Sequence, residues 1–300
     1  MYHNPVLLEE TISLLALKPE GIYVDVTFGG GGHSRAILSK LTSGRLLAFD
    51  QDKDALKNDI EDPRFQLINQ NFKYLNNFLK FYKAIPIDGI LADLGISSHQ
   101  IDDPDRGFST RFESDLDLRM DQTTGVPARN VINTYNIEDL KKILKEYGEF
   151  ENAYHIAKRL VAARESKEIN STSELKEVLL PMAERGRENK FFARIFQAFR
   201  IEVNNEIGVL KEFLIQAQKA IKPGGRLVVI SYHSLEDRLV KNFMRSGNFE
   251  GHIKKDFYGN IIAPFKPLTR KPVTPNNQEL DENPRSRSAK LRAAERTSDE

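Results

Sequence analysis

The chain has 300 residues, 40% of them hydrophobic, no cysteine and a formal net charge of +1. That supplies a full core for one large domain or two ordinary ones. It excludes disulfides, thiolate metal sites and cysteine nucleophiles, and it argues against bulk electrostatic capture of nucleic acid while leaving room for a local basic face. No apolar run reaches the roughly 20 residues that cross a bilayer, and the acids within "MYHNPVLLEETISLL" argue against a signal peptide. No membrane partner is expected, and a cytoplasmic location fits.

The first hundred residues alternate two patterns. "GIYVDVT" (21–27), "RLLAFD" (45–50), "FQLIN" (65–69) and "IDGILADLG" (87–95) read as buried strands. Between them 34–41, 52–60 and 73–82 read as helices. This order predicts a parallel sheet covered by helices on both faces. The next strand, "GRLVVISYH" (225–233), follows the breaker "KPGG" more than a hundred residues later. A parallel crossover needs only about a dozen residues, so the excess must build something of its own. It reads as helices over 136–148, 153–166, 171–185 and 189–221, with Asn136 as an N-cap and Ser171 with Glu174 as a capping box. The expected division is 1–106, an inserted helical domain over 107–214, and a return over 215–300. Phe191, Phe192, Phe196 and Phe199, at near-helical spacing, read as core rather than as base-stacking groups. Residues 263–296, proline- and asparagine-rich and then basic, read as an extended tail laid over the body with a short terminal helix.

Chemistry concentrates at strand ends. In "DVTFGGGGHS" (25–34) four glycines join a strand to a helix, where bare backbone turns tightly and approaches a ligand. Asp50 ends the next strand 21 positions after Gly29, a spacing that suits a ribose hydroxyl pair. A dinucleotide would bring its pyrophosphate near the helix start, where Asp25 would repel it. The amino group and sulfonium of S-adenosylmethionine are positive, and the spacing departs from G-x-G-x-x-G, so S-adenosylmethionine is favoured over a nicotinamide cofactor. Phe72 either lies against the adenine ring or belongs to the core. Asp93, Ser97 and Ser98 leave the fourth strand where a group accepting from a target amine would stand, the serines equally suiting a cap or turn. His233 ends the fifth strand as a substrate contact, a general base or a packing residue, and Ser234 with Asp237 reads as a capping box.

These blocks resemble the ribosomal RNA small subunit methyltransferase H family, also called MraW. The resemblance rests on "DVTFGGGGHS", "ADLGISSHQIDDPDRGFS", "LDLRMD", "FQAFRIEVNNE", "KPGGRLVVISYHSLEDR" and "NPRSRSAKLRAAER", which run nearly end to end. It implies an α/β fold: a Rossmann-like, class I S-adenosylmethionine-dependent methyltransferase sheet with an inserted, mostly helical domain. It implies N4-methylation of one cytosine in the decoding region of 16S rRNA in the small ribosomal subunit. The implied cofactor contacts are Gly31, Gly32, His33, Asp50, Phe72, Asp93 and Gln100, and the catalytic candidates are Asp93, Ser97 and His233. No metal is expected, because the sulfonium is already a good leaving group. The sequence departs from the family pattern at Glu113–Asp115, at Lys190–Ala193 and within 148–160. A base entering a pocket leaves its stack and its phosphates need cations. Arg106, Arg111 and Arg119, with Arg285, Arg287, Lys290, Arg292 and Arg296 of the tail, are expected to flank the pocket mouth. Monomer and homodimer are both left open.

Overall fold

A computed structural model describes residues 5–298, apart from the side chain of Ser98. They form two compact units: residues up to Gly95 together with those from Gly208 onward, and Ile96–Ile207. In chain order, α1 (Leu8–Leu15), β1 (Ile22–Asp25), α2 (Gly32–Leu38), β2 (Arg45–Phe49), β3 (Phe65–Ile68), α3 (Leu75–Phe81) and β4 (Ile87–Asp93) begin the first unit. The second holds α4 (Ser98–Asp102), α5 (Ala128–Thr134), α6 (Ile137–Glu146), α7 (Ala153–Arg164), α8 (Thr172–Leu179) and α9 (Glu188–Asn204). The chain returns through α10 (Glu206–Ala220) to β5 (Ile221–Ser231), α11 (Ser234–Ser246), β6 (Phe265–Pro267), α12 (Asn277–Glu282) and β7 (Lys290–Arg296).

The first unit is built on a sheet of order β3-β2-β1-β4-β5-β7-β6. β1 to β5 pair in parallel; β7 is antiparallel to both β5 and β6. Because side chains alternate along a strand, Val24 joins one core with Leu47, Ile90 and α10, while Tyr23 joins another with Leu46, Leu91 and α1. Both faces are therefore covered, which is why β4 is buried along almost its whole length, with Asp88 paired to Lys222. The strand order reverses between β1 and β4. In such sheets the ligand crevice opens at that switch, outside the carboxyl ends of the strands, and Asp25 and Asp93 are the last residues of those two strands.

The second unit packs its helices around one core. Leu140, Ile143 and Leu144 of α6, Ile156 and Leu160 of α7, and Ile195, Phe196 and Phe199 of α9 share it, at the i, i+3, i+4 spacing of an apolar helix face. Phe192, Phe196 and Phe199 are buried and the half-buried Phe191 rests edge-on against Phe150, so these rings are core.

Several features differ from the expectations above. The units part at 95/96 and 207/208, whereas the sequence reading divides the chain at 106/107 and 214/215. Ile96 already packs on the helical core, and Leu210 already joins the core of the sheet. The helix expected over 189–221 is two helices. Asn205 takes a left-handed conformation (φ 48) and caps α9, a conformation Asn adopts more readily than most residues. The stretch after Asp52 is a 3-10 turn rather than an α-helix. The C-terminal segment is not a tail laid over the body. Lys290–Arg296 is an internal strand between β5 and β6, and the short terminal helix lies earlier, at Asn277–Glu282.

Candidate functional site

The glycine loop is fixed by two acids. Asp50 Oδ2 accepts the Gly29 N–H at 2.8 Å and its Oδ1 accepts that of Asp52 at 2.8 Å. Asp25 is buried: its Oδ2 accepts from Ser34 Oγ at 2.7 Å and its Oδ1 from the Thr27 N–H at 3.1 Å. The sequence reading gives Asp25 the task of attracting a cation. The geometry shows its oxygens tying strand to helix, so any attraction it exerts acts through space. Gly31 has φ +76, and a Cβ there would meet the Phe28 ring and the Arg35 guanidinium; a Cβ on Gly32 would meet Pro5. These two positions need glycine for conformation and close approach respectively. Burial pushes Asp25 up and Asp50 up to about 6, with Asp25 and Asp52 adding to the repulsion at Asp50.

Asp93 ends β4 with its side chain 23% exposed, enough for a ligand to reach it. The Tyr232 hydroxyl donates to its Oδ1 at 2.9 Å, and its backbone N–H donates to Thr27 Oγ1 at 2.6 Å. His33 Nδ1 stands 3.8 Å from Oδ2. On its other side His33 Nε2 lies 3.0 Å from the Val6 carbonyl, which can only accept. Nε2 therefore carries a hydrogen, and Nδ1 is the ring nitrogen that faces Asp93. Burial lowers the His33 pKa, against the opposing pull of Asp93. Burial also lifts Asp93 to about 6, against the lowering effects of His33 and Tyr232. Tyr232 is pushed well above the usual phenol range by burial and by Asp93, so it stays a donor. Phe72 is half-buried; its ring meets Phe213 edge-on at 5.4 Å and packs against the core. It belongs to the core and keeps part of its ring accessible.

The remaining expected site residues have the following partners. Ser97 and Gln100 lie in the second unit and bond to each other. Ser97 Oγ accepts from Gln100 N at 3.2 Å and Gln100 Oε1 from Ser97 N at 3.0 Å, a capping box for α4. The Ser98 side chain is outside the described residues. His233, not Ser234, is the N-cap of α11; its Nδ1 accepts from the Glu236 N–H at 3.4 Å and its Nε2 lies 3.1 Å from Glu236 Oε1. Glu236 in turn accepts from the Tyr232 N–H at 3.0 Å. Asp237 is not part of the cap, because Arg292 holds it at 2.6 and 3.2 Å. Of the expected phosphate-binding cations, Arg106 is buried and donates to the Arg119 and Met120 carbonyls, while Arg119 grips Asp117 at 2.7 and 2.9 Å. Arg292 and Arg296 are buried in the sheet, the latter donating to Gln218, Pro264 and Thr297 carbonyls. Arg111 and Arg287 remain exposed. Tyr232 is the site residue that sequence reasoning missed. Its one signal is its place at the end of the strand adjoining β4.

The geometry is thus a strand-order reversal with a glycine loop, an acid that holds that loop and a partly exposed carboxylate held by a phenol. The MraW methylase family pattern matches residues 1–297. The "Ribosomal RNA small subunit methyltransferase H" of Christiangramia forsetii is 55% identical over 294 residues, covering 98% of this chain and 97% of that one. The protein of the same name in Bacteroides fragilis is 53% identical over 296 residues, covering 98% and 97%. Among solved structures, an rRNA methylase from Streptococcus thermophilus aligns over 98% of both chains, with a TM-score of 0.44 and 13% identity.

Proposed function

The chain belongs to the MraW methylase family, and from that premise we propose that it methylates the exocyclic N4 of a cytosine in small-subunit ribosomal RNA, in the decoding region. The relatives' names supply the RNA and the subunit; the observation that carries the chemistry is Asp93, partly exposed at the end of β4 and held by Tyr232.

The cofactor is S-adenosylmethionine, which supplies an electrophilic methyl group on a sulfonium. The residues present fit it. Gly31 and Gly32 leave backbone where a side chain would collide. Asp50 keeps lone pairs for a hydroxyl pair beside the two it gives to backbone N–H groups. Phe72 offers part of its ring to the base. Asp25, Asp50 and Asp93, all with raised pKa values, favour a cation nearby. His33 acts by packing the loop against Val6 and by facing Asp93.

A cytosine amine is a weak nucleophile because its lone pair is spread into the ring. Asp93 Oδ2 would accept one amine hydrogen, orient the nitrogen and take the proton as the N–C bond forms and the methyl–sulfur bond breaks, with S-adenosylhomocysteine as the leaving group. The Tyr232 hydroxyl holds Oδ1, and Oδ2, with no hydrogen bond to Tyr232, is the oxygen this reading assigns to the amine. A base titrating near 6 is ionised at neutral pH yet still basic enough to share a proton. Ser97 and Gln100 set the turn that follows β4, and His233 fixes the start of α11 and, through Glu236, the backbone of Tyr232. The setting is the cytosol, where ribosomal RNA is. The test is single-turnover transfer by Asp93→Asn at saturating cofactor and RNA. A fall of about 10²- to 10⁴-fold is expected, with binding of S-adenosylhomocysteine retained. Near-normal transfer would remove Asp93 from the chemistry.

A further inference from the structure

The far edge of the sheet in the first unit carries a groove of about 760 Å³. Met244 of α11 and Phe265 of β6 form part of its apolar floor. Lys241, Arg245, Lys266 and Arg270 line it, all four exposed. Among the described residues none of the four has an ion-pair partner, and none of the groove's lining residues is acidic. The charge is local. Between Arg238 and Lys271 there are eight Lys and Arg against two acids, in a chain whose net charge is +1. One of those two acids, Asp256, is spent on Asn260, accepting from its backbone N–H at 2.8 Å and its side-chain amide at 2.9 Å.

That pair of bonds belongs to a hairpin that contributes Asn260 and Ile261 to the groove. The hairpin is closed by the Lys255–Ile261 bridge and by the Ile262 N–H donating to the Lys254 carbonyl at 2.9 Å. On its turn stand Phe257, 97% exposed, and Tyr258, 87% exposed, with ring centroids 5.7 Å apart. Two aromatic faces held out in water on a hydrogen-bonded turn, beside unpaired cations, suit a strand of stacked bases with its phosphates.

The groove lies three strand spacings from β4 in the sheet order, about 14 Å away along the sheet. A small acceptor in the crevice does not extend that far, and a polymer does. We propose that this groove and its hairpin are a second RNA-binding face, which holds a single-stranded flank of the substrate by phosphate contacts and base stacking. The proposal rests on the reading of the acceptor as RNA, and goes beyond it in assigning affinity to a face remote from the transfer site.

The test is fluorescence anisotropy with a labelled single-stranded oligoribonucleotide over a range of KCl concentrations, using the full chain. The combined variant Lys241→Gln, Arg245→Gln, Lys266→Gln, Arg270→Gln is expected to bind at least about tenfold more weakly. The slope of log affinity against log salt should shrink by about 3, since each single-strand phosphate contact contributes about 0.7. Phe257→Ala with Tyr258→Ala should lose about tenfold with the slope unchanged. Both variants should bind S-adenosylhomocysteine as the wild type does, which shows the fold intact. Unchanged RNA affinity and slope in the four-cation variant would overturn the proposal, as would displacement of a labelled polyglutamate but not RNA at this face. If wild-type protein binds RNA through the groove yet leaves ribosomal RNA unmethylated, the proposed reaction fails and the groove stands.

Discussion

Removing the Tyr232 hydroxyl strips Asp93 of a donor that favours its charged form. In Tyr232→Phe the Asp93 pKa should rise further above 6, so the acidic limb of the pH–rate profile moves toward neutrality. The rate at pH 7 falls, and the rate at pH 8 or above recovers much of the difference. A purely structural role for Tyr232 would lower the rate equally at every pH. The same residue marks where sequence reading stops. The closeness of Asp50 to the glycine loop is legible because it is local: spacing alone places Asp50 beside Gly29, and the structure closes that pair at 2.8 Å. Tyr232 lies 139 positions from Asp93, and only the pairing of β4 with β5 brings them together. Asp25 was legible as an acid but not as a buried one, because its partners Ser34 and Thr27 depend on how the loop folds back.

At the scale of elements, β7 carries the sharpest difference. "SAKLRAAER" is rich in helix-forming Ala, Leu, Arg and Glu, and its cations look like a solvated run. Tertiary pairing overrides that propensity. Leu291, Ala293 and Ala294 are buried, Glu295 meets Arg226 at 2.9 Å, and Arg292 is bidentate to Asp237. The expected outcome of Arg292→Ala is therefore loss of stability, about 3 kcal/mol in urea unfolding, because Asp237 is left partly buried without its main partner. Ending the chain at Ser288 should remove an internal strand and abolish cooperative unfolding. A truncated chain that melts like the wild type would return this segment to the status of a tail. The α9–α10 break was legible only in hindsight. Consecutive Asn204 and Asn205 carry the signal, but the apolar period runs on through them. The parallel strands before β5 were legible because continuous apolar runs between glycine and charged breakers leave little alternative.

At the scale of the whole molecule, the net charge of +1 conceals a separation. Acids gather at the carboxyl ends of β1, β2 and β4, and cations along α11 and the sheet edge. The first group predicts a pH-dependent preference between two ligands of nearly the same shape. S-adenosylmethionine carries a sulfonium cation and S-adenosylhomocysteine a neutral thioether. As pH rises through about 6, Asp50 and Asp93 lose their protons and the crevice becomes more negative. Titration calorimetry should show the affinity ratio shifting toward the sulfonium between pH 5 and about 7.5; a ratio constant with pH would mean that these carboxylates do not sense the charge. The second group is where, on the proposed reading, a nearly neutral chain would engage a polyanion. What the whole chain does with both is most directly read from the product. Purified protein, labelled S-adenosylmethionine and small ribosomal subunits from cells lacking this gene should yield one labelled nucleoside on digestion and mass spectrometry. N4-methylcytidine at a single decoding-region position is the predicted product, and label in 5-methylcytidine, in another base or in ribosomal protein would contradict the account.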